Sequence, residues 1–257
     1  MNTMISNLII LSVLILTAIP AFADWISMDD MAESDRILLH SVGLISQPST
    51  LEGAHSHGQI GGTIGIGIRR PSSTIDAEER SSPADAASMD ALQIHVVKGL
   101  SGSVDLGFSF SHVQSTGGNA LAAYLQWTLF EGFQMPSIAV RGGVSKTFGY
   151  EYVDISGAAA EVLAGYDLFQ FLGFYLGFGA SSNVAGVDIM DNGSRFSLVR
   201  SSEMVVETVR AKTDWNGQHY LIGLTIKPWP PFLALGLEYL KNDIDMQTIS
   251  LKASIGM

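Results

Sequence analysis

The sequence predicts an all-β fold: a transmembrane, antiparallel up-and-down β-barrel of about ten strands (eight to twelve), preceded by a short, partly helical N-terminal extension. Three observations predict it. Apolar residues recur at every second position through most of the chain, the signature of an extended strand with two unlike faces. The alternating runs are about 10–13 residues long, twice the usual soluble strand. The face opposite the apolar one consists of Gly, Ser, Thr and Ala with few charges.

Residues 1–23 carry no charged side chain; Ile5–Ile19 is almost continuously apolar and Ala21-Phe22-Ala23 has a small-x-small pattern. This reads as a secretory signal cut before Asp24, since the run is short for a span of about 20 residues. Residues 24–58 form an acidic extension, in which Asp24, Asp29, Asp30, Glu33, Asp35 and Glu52 face only Arg36, a net charge of −5. Ile26–Ile45 is expected to form a short helix with Met28, Met31, Leu38, Val42 and Ile45 as a loose apolar stripe. The extension would plug the barrel, cap its periplasmic mouth or trail as a tether.

Residues 59–257 are assigned to the barrel, with strands near 59–70, 90–99, 103–113, 119–130, 136–147, 155–167, 172–182, 218–228, 231–241 and 246–257. In the first, Ile64, Ile66 and Ile68 alternate with Gly65, Gly67 and Arg69. In the last, Ile249, Leu251, Ala253 and Ile255 alternate with Ser250, Lys252 and Ser254. Leu168–Val187 has no charged residue and the length of a membrane helix, but Leu172, Phe174, Leu176 and Phe178 alternate with Gly173, Tyr175, Gly177 and Gly179, so it too reads as a strand. At about 3.4 Å per residue and a tilt near 40°, eleven residues rise about 28 Å, matching an apolar band of about 25 Å.

The connections alternate. Gly99–Gly102, Glu131–Met135, Leu168–Phe171 and Lys227–Pro231 are short, whereas Pro71–Met89 and Asn183–Gly217 are long and polar. Short periplasmic turns and long surface loops are the layout of a membrane barrel. Aromatic residues gather near the strand ends, with Trp127, Tyr166 and Trp229 near the short-turn rim and Trp215, Tyr220 and Tyr239 near the long-loop rim. They are expected to form two girdles at the headgroups.

A water-exposed wall would carry many more charges than the small-residue face does, so that face is placed inward and the apolar one on lipid. Ionisable residues of inward parity are Arg69, His95, Asp105, Arg141, Glu161, Lys227, Glu238 and Lys252. Of these, Asp105, Arg141, Glu161, Glu238 and Lys252 are the candidate polar network of the lumen, expected to pair because a lone buried charge is costly. Inward glycines such as Gly65, Gly107, Gly143 and Gly223 predict a roomy interior. His55 and His57, two residues apart, read as solvated side chains. Ser111 and His112 point to opposite faces and cannot act as nucleophile and base. No catalytic or metal-binding residue and no cofactor is assigned.

Composition narrows the function classes. There is no cysteine, which removes disulfide scaffolds, cysteine-ligated metals and acylated-cysteine anchors. Fourteen basic residues against 25 acidic ones, net −11, argue against nucleic acid as a partner.

These patterns resemble the bacterial outer-membrane β-barrel class. The last nine residues, 249–257, with an apolar residue at every second position back from the end, are similar to the C-terminal signal read by the barrel-assembly machinery, although the chain ends in Met257 where Phe or Trp is usual. The resemblance implies the outer membrane of a Gram-negative cell envelope, with outer-membrane lipid and the assembly machinery as partners. It carries no active site with it. The expected role is non-enzymatic: a structural or surface-interaction protein, or a narrow passive pore for small solutes. A secreted soluble carrier of an apolar ligand and an outer-membrane lipid-modifying enzyme are the alternatives.

Overall fold

In a computed structural model of the chain, the described residues are 24–48, 53–73, 89–132, 135–150, 153–168, 171–191, 196–198, 209–230, 232–243 and 246–256. The expected signal segment, 1–23, and Met257 lie outside them. The strands are β1 (Asp24–Trp25), β2 (Gly62–Ser73), β3 (Ala91–Gly99), β4 (Val104–Val113), β5 (Asn119–Phe130), β6 (Ser137–Phe148), β7 (Val153–Leu168), β8 (Leu172–Asp191), β9 (Phe196–Leu198), β10 (Val209–Trp229), β11 (Leu233–Asn242) and β12 (Met246–Gly256). Ten of them, β2 to β8 and β10 to β12, pair antiparallel in chain order, and β12 closes on β2 through the register Gly256↔Thr63 to Met246↔Ser73. Closure leaves no free sheet edge around the ring. The ten strands lie where alternation placed them, with one correction. Most of the expected loop Asn183–Gly217 is strand: β8 and β10 stay paired from Leu172↔Ile226 up to Ile189↔Val209, and β9 adds to β8.

The apolar residues face outward. Leu176 is 62% exposed, Ile222 60% and Ile255 60%, whereas the intervening His95 and Glu238 are 1% exposed. A soluble carrier would show the reverse arrangement. Above this belt the pattern inverts at constant strand parity. On β8, Phe174, Leu176 and Phe178 point out, but farther up it is Val187 and Ile189 that point in and are buried. On β7, Val162 points out while Val153 and Ile155 point in; on β10, Ile222 and Ile226 point out while Ala211 and Trp215 point in. At this level Asp154, Arg210 and Asp214 form the exposed side. A wall that turns its apolar face outward at one height and inward at the next has changed solvent between them.

What the inward face packs against is the N-terminal extension. β1 runs parallel to β10, beyond the end of β11, with Asp24↔Ala211 and Trp25↔Lys212. A 3-10 turn, Met28–Asp30, follows, its start capped by the Ser27 hydroxyl accepting the Asp29 N–H at 3.2 Å. The helix α1 (Glu33–Ser46) then descends inside the barrel, packed on β2, β5, β6, β7 and β12. It starts later than the expected Ile26–Ile45, so Met28 and Met31 precede it. Met31, Leu39 and Val42 enter one cluster with Val153, Ile155, Val187, Ile189 and Trp215. Trp215 is therefore not a girdle residue: it is turned inward and its indole lies where a Cβ on Gly43 of α1 would be. Residues 53–61 cross the lower lumen and lead into β2 at the short-turn rim.

Candidate functional site

The inner wall and the segment it encloses form one polar and apolar assembly, built downward from α1. The last carbonyls of a helix have no partners of their own. Here the guanidinium of Arg69, buried on β2, supplies them: its Nη1 donates to the carbonyls of Leu44 at 2.9 Å, Gln47 at 3.0 Å and Ile45 at 3.3 Å. A cation at the negative end of the helix dipole adds to these bonds. The Ser46 hydroxyl donates to Gly43 O at 2.8 Å and accepts from the Ser145 hydroxyl at 3.4 Å.

Another buried group centres on Arg141 of β6. Register sets Arg141 opposite Glu161 on β7, and Nη1 lies 3.4 Å from Glu161 Oε2. Its Nη2 and Nε donate to Gln126 Oε1 on β5 at 2.9 and 3.2 Å, and its guanidinium lies 5.1 Å from the Tyr124 ring centroid. Glu161 Oε1 is 3.0 Å from His219 Nε2 on β10. The charge is thus paired and the remaining positions of the fork are used, the condition under which a buried ion pair holds. Elsewhere in the lumen the Tyr175 hydroxyl donates to Glu238 Oε2 at 3.0 Å.

At the short-turn mouth the wall grips residues 53–58. Asp105 accepts the His57 N–H at 3.1 and 3.2 Å, and its Oδ2 lies 3.1 Å from His57 Nδ1. Gln126 donates to the carbonyls of Gly53 and His55, Thr128 donates to that of Ala54 at 3.0 Å, and Glu131 accepts the Ser56 N–H at 2.8 Å. His55 Nε2 lies 3.5 Å from Asp167, which also accepts from Lys227 at 2.6 Å. The two histidines expected to be solvated each sit on a carboxylate instead, and they point to different ones. Among the described residues no three metal-capable side chains converge.

Of the candidate network, Arg141 and Glu161 come together, while Asp105 and Glu238 are buried on other partners. Lys252 is 6% exposed and faces the lower lumen between Gly67 and Gly236 of the flanking strands. Trp127, Trp229, Tyr166 and Tyr220 are exposed on the outer wall; Tyr239 is half-buried and donates its hydroxyl to Gln247 at 3.0 Å. Ser111 faces inward, and His112 on the opposite face is 2.9 Å from Asn119. Three of the inward glycines make room for a neighbouring ring. A Cβ on Gly107 would enter the ring of Tyr124 on the next strand, one on Gly223 the ring of Tyr175, and one on Gly65 the ring of His95. Pro48, just past α1, lies against Gly143 in the same way.

Sequence reasoning missed His219 as a member of the group around Arg141. Its signal was the parity it shares with Leu221 and Gly223, inside the expected strand 218–228. Outside the strands, burial in α1 and the nearby Arg36 guanidinium lower the His40 pKa from 6.5 to about 4, with Asp243 pulling the other way. Burial raises the Tyr150 hydroxyl to about 12.

No protein-family profile and no curated protein matches the chain. Among solved structures it is similar to the outer membrane protease OmpT from Escherichia coli (TM-score 0.41, 8% identity, 76% of this chain and 94% of that one). It is also similar to the KdgM porin in complex with disordered oligogalacturonate (0.38, 8%, 74% and 98%). A third is Ail, the attachment invasion locus protein of Yersinia pestis (0.36, 13%, 77% and 99%). At such scores and identities these likenesses say nothing about what this chain does.

Proposed function

We propose that this chain is a non-enzymatic outer-membrane β-barrel whose lumen is stoppered by its own N-terminal segment and whose working surface is the long-loop end. The observation that carries the reading is the inversion on β7, β8 and β10. An outward belt of Ile, Leu, Phe and Val suits hydrocarbon, and the same wall above it encloses a core as a water-soluble protein does. An open vestibule has no use for such a core; a rigid platform for a surface partner does. The exposed aromatic residues Trp127, Tyr166, Trp229 and Tyr220 serve as headgroup anchors in this reading, and the sequence 249–257 as the element presented to the assembly machinery. Cell fractionation followed by gels of unboiled and boiled samples tests it. A detergent-extracted band whose mobility changes on boiling is expected, and full recovery in the soluble fraction without detergent overturns the placement.

A further inference from the structure

The stopper is lopsided. Residues 53–57 lie against β4, β5 and β6, held there by Asp105, Gln126, Thr128 and Ser137. On the facing sector, register sets Gly173, Thr225, Gly236 and Lys252 side by side on β8, β10, β11 and β12, with Ala234 opposite Ser254 one step nearer the short-turn rim. Between segment and wall lies a cavity of about 440 Å³, open to that rim past Pro230 and Gly256. The volume falls in the range of ligand pockets, roughly 300–1,000 Å³. Thr225 stands between two glycines, so its hydroxyl and the bare backbone on either side border the space directly. Ser254 adds a second hydroxyl, and Tyr175 and His55 add ring surface.

The charges around the cavity are already engaged. Lys227 donates to Asp167 at 2.6 Å, and His55 Nε2 lies 3.5 Å from the same carboxylate. His57 sits on Asp105, and Lys252 is engaged as well. An entering ion would have to draw one of these groups from its mate, which is costly in a buried setting. A hydroxyl both donates and accepts, so it adds to the Lys227–Asp167 pair without parting it: the ammonium has three N–H groups, and the carboxylate has lone pairs beyond those in use.

We infer that this cavity is a binding site for a neutral, polyhydroxylated ring of monosaccharide size, entering from the short-turn side. Its hydroxyls meet Thr225, Ser254 and the Lys227–Asp167 pair, and its C–H faces lie on Tyr175, Pro230 and the glycine backbone. The inference rests on the membrane reading only for the side the cavity faces, so binding in detergent and fractionation fail independently.

The test is equilibrium dialysis of the refolded full chain, in a sugar-free amine-oxide micelle, against radiolabelled methyl glucoside, methyl galactoside and methyl mannoside. Saturable binding of at least one at millimolar concentration is expected. The uronate and the amino sugar of the same configuration, which add a negative or a positive charge to the ring, are expected to compete at least about tenfold more weakly, as is cyclohexylmethanol, a ring of similar size with a single hydroxyl. Thr225→Val combined with Ser254→Ala removes both wall hydroxyls and leaves the Lys227–Asp167 pair; it is expected to weaken binding at least about tenfold. Ser182→Ala, on the exposed outer wall, is expected to leave binding unchanged, and the boiling-dependent gel shift confirms that each variant is folded. No saturable binding of any of the three, equal binding by the folded double variant, or competition by a charged ring as strong as by the neutral one overturns the site. A glycolipid bearing the same sugar, added to the micelles, is expected not to displace the probe; displacement would overturn the assignment to a soluble sugar.

Discussion

Replacing Arg69 with Met removes the group that terminates α1 while leaving the barrel wall apolar in shape and size. Nη1 carries two hydrogens for three carbonyls, so two full bonds are lost, one of them shared. Bonds from a charged donor contribute about 1.5–3 kcal/mol each, and deleting a buried cation returns part of its own desolvation cost. A net loss of about 3 kcal/mol falls on the docked state of the segment, since the wall keeps its ladder bonds. That raises the undocked population by about two orders of magnitude. The absence of native cysteine gives a clean reporter: Ser41, buried in α1, becomes Cys, and maleimide labelling of the folded protein in detergent measures how often the helix leaves. Labelling of Arg69→Met in the Ser41→Cys background is expected to be about 100-fold faster than in that background alone. A change of less than about threefold, with the folded band intact, would mean that Arg69 does not hold the helix.

Gly107→Ala drives a Cβ into the Tyr124 ring and is expected to cost about 1–3 kcal/mol by overpacking, read as a lower temperature of conversion between folded and unfolded bands on unboiled gels; an unchanged temperature would show that Tyr124 can move aside. Glu161→Gln leaves Arg141 buried without its carboxylate and is expected to cost about 3–5 kcal/mol, whereas Arg141→Met combined with Glu161→Leu returns close to the parent; a double variant as unstable as the single one would refute the pairing. His40 titrates near 4 when docked and near 6.5 when free, so the undocked segment binds the proton first. Docking is therefore at full strength above pH 6.5 and weakens as pH falls toward 4, by at most about 3 kcal/mol. The Ser41→Cys labelling rate should rise across that window and stay flat in His40→Gln; the same slope in both would assign the effect to other groups.

The belt was legible because period two and lipid impose the same order: Ile64, Ile66 and Ile68, or Phe174, Leu176 and Phe178, can satisfy only one face. Inward placement of Arg69, His95, Asp105, Arg141, Glu161, Glu238 and Lys252 followed from parity alone. What parity could not show is where the belt ends. Along β8 the apolar residues change face between Phe178 and Val187, and Ala180, Ser182 and Ala185 in between blur the alternation, so the upper half of β8 and β10 read as loop. The helix start was misplaced because its first residue follows Ala32, which offers no side-chain cap. The filling of the lumen was hidden for a different reason: a glycine records that something approaches closely, not whether it is solvent or the ring of the neighbouring strand.

The polar lumen alone does not imply passage. A conducting interior keeps its polar groups in water, whereas several here are spent on the chain's own backbone: Arg69 on the end of α1, Asp105 on His57, Gln126 on Gly53 and His55. Release of the segment exposes each of these groups to water again, and that rehydration offsets much of the lost bonding. The apolar contacts of Leu39, Val42 and Trp215 have no such compensation, so the core above the belt, not the ion pairs below it, sets the energy of opening. A pore reading therefore requires that conductance and exposure of residue 41 rise together in Arg69→Met. Current through a protein whose residue 41 stays protected would show that ions pass beside the helix.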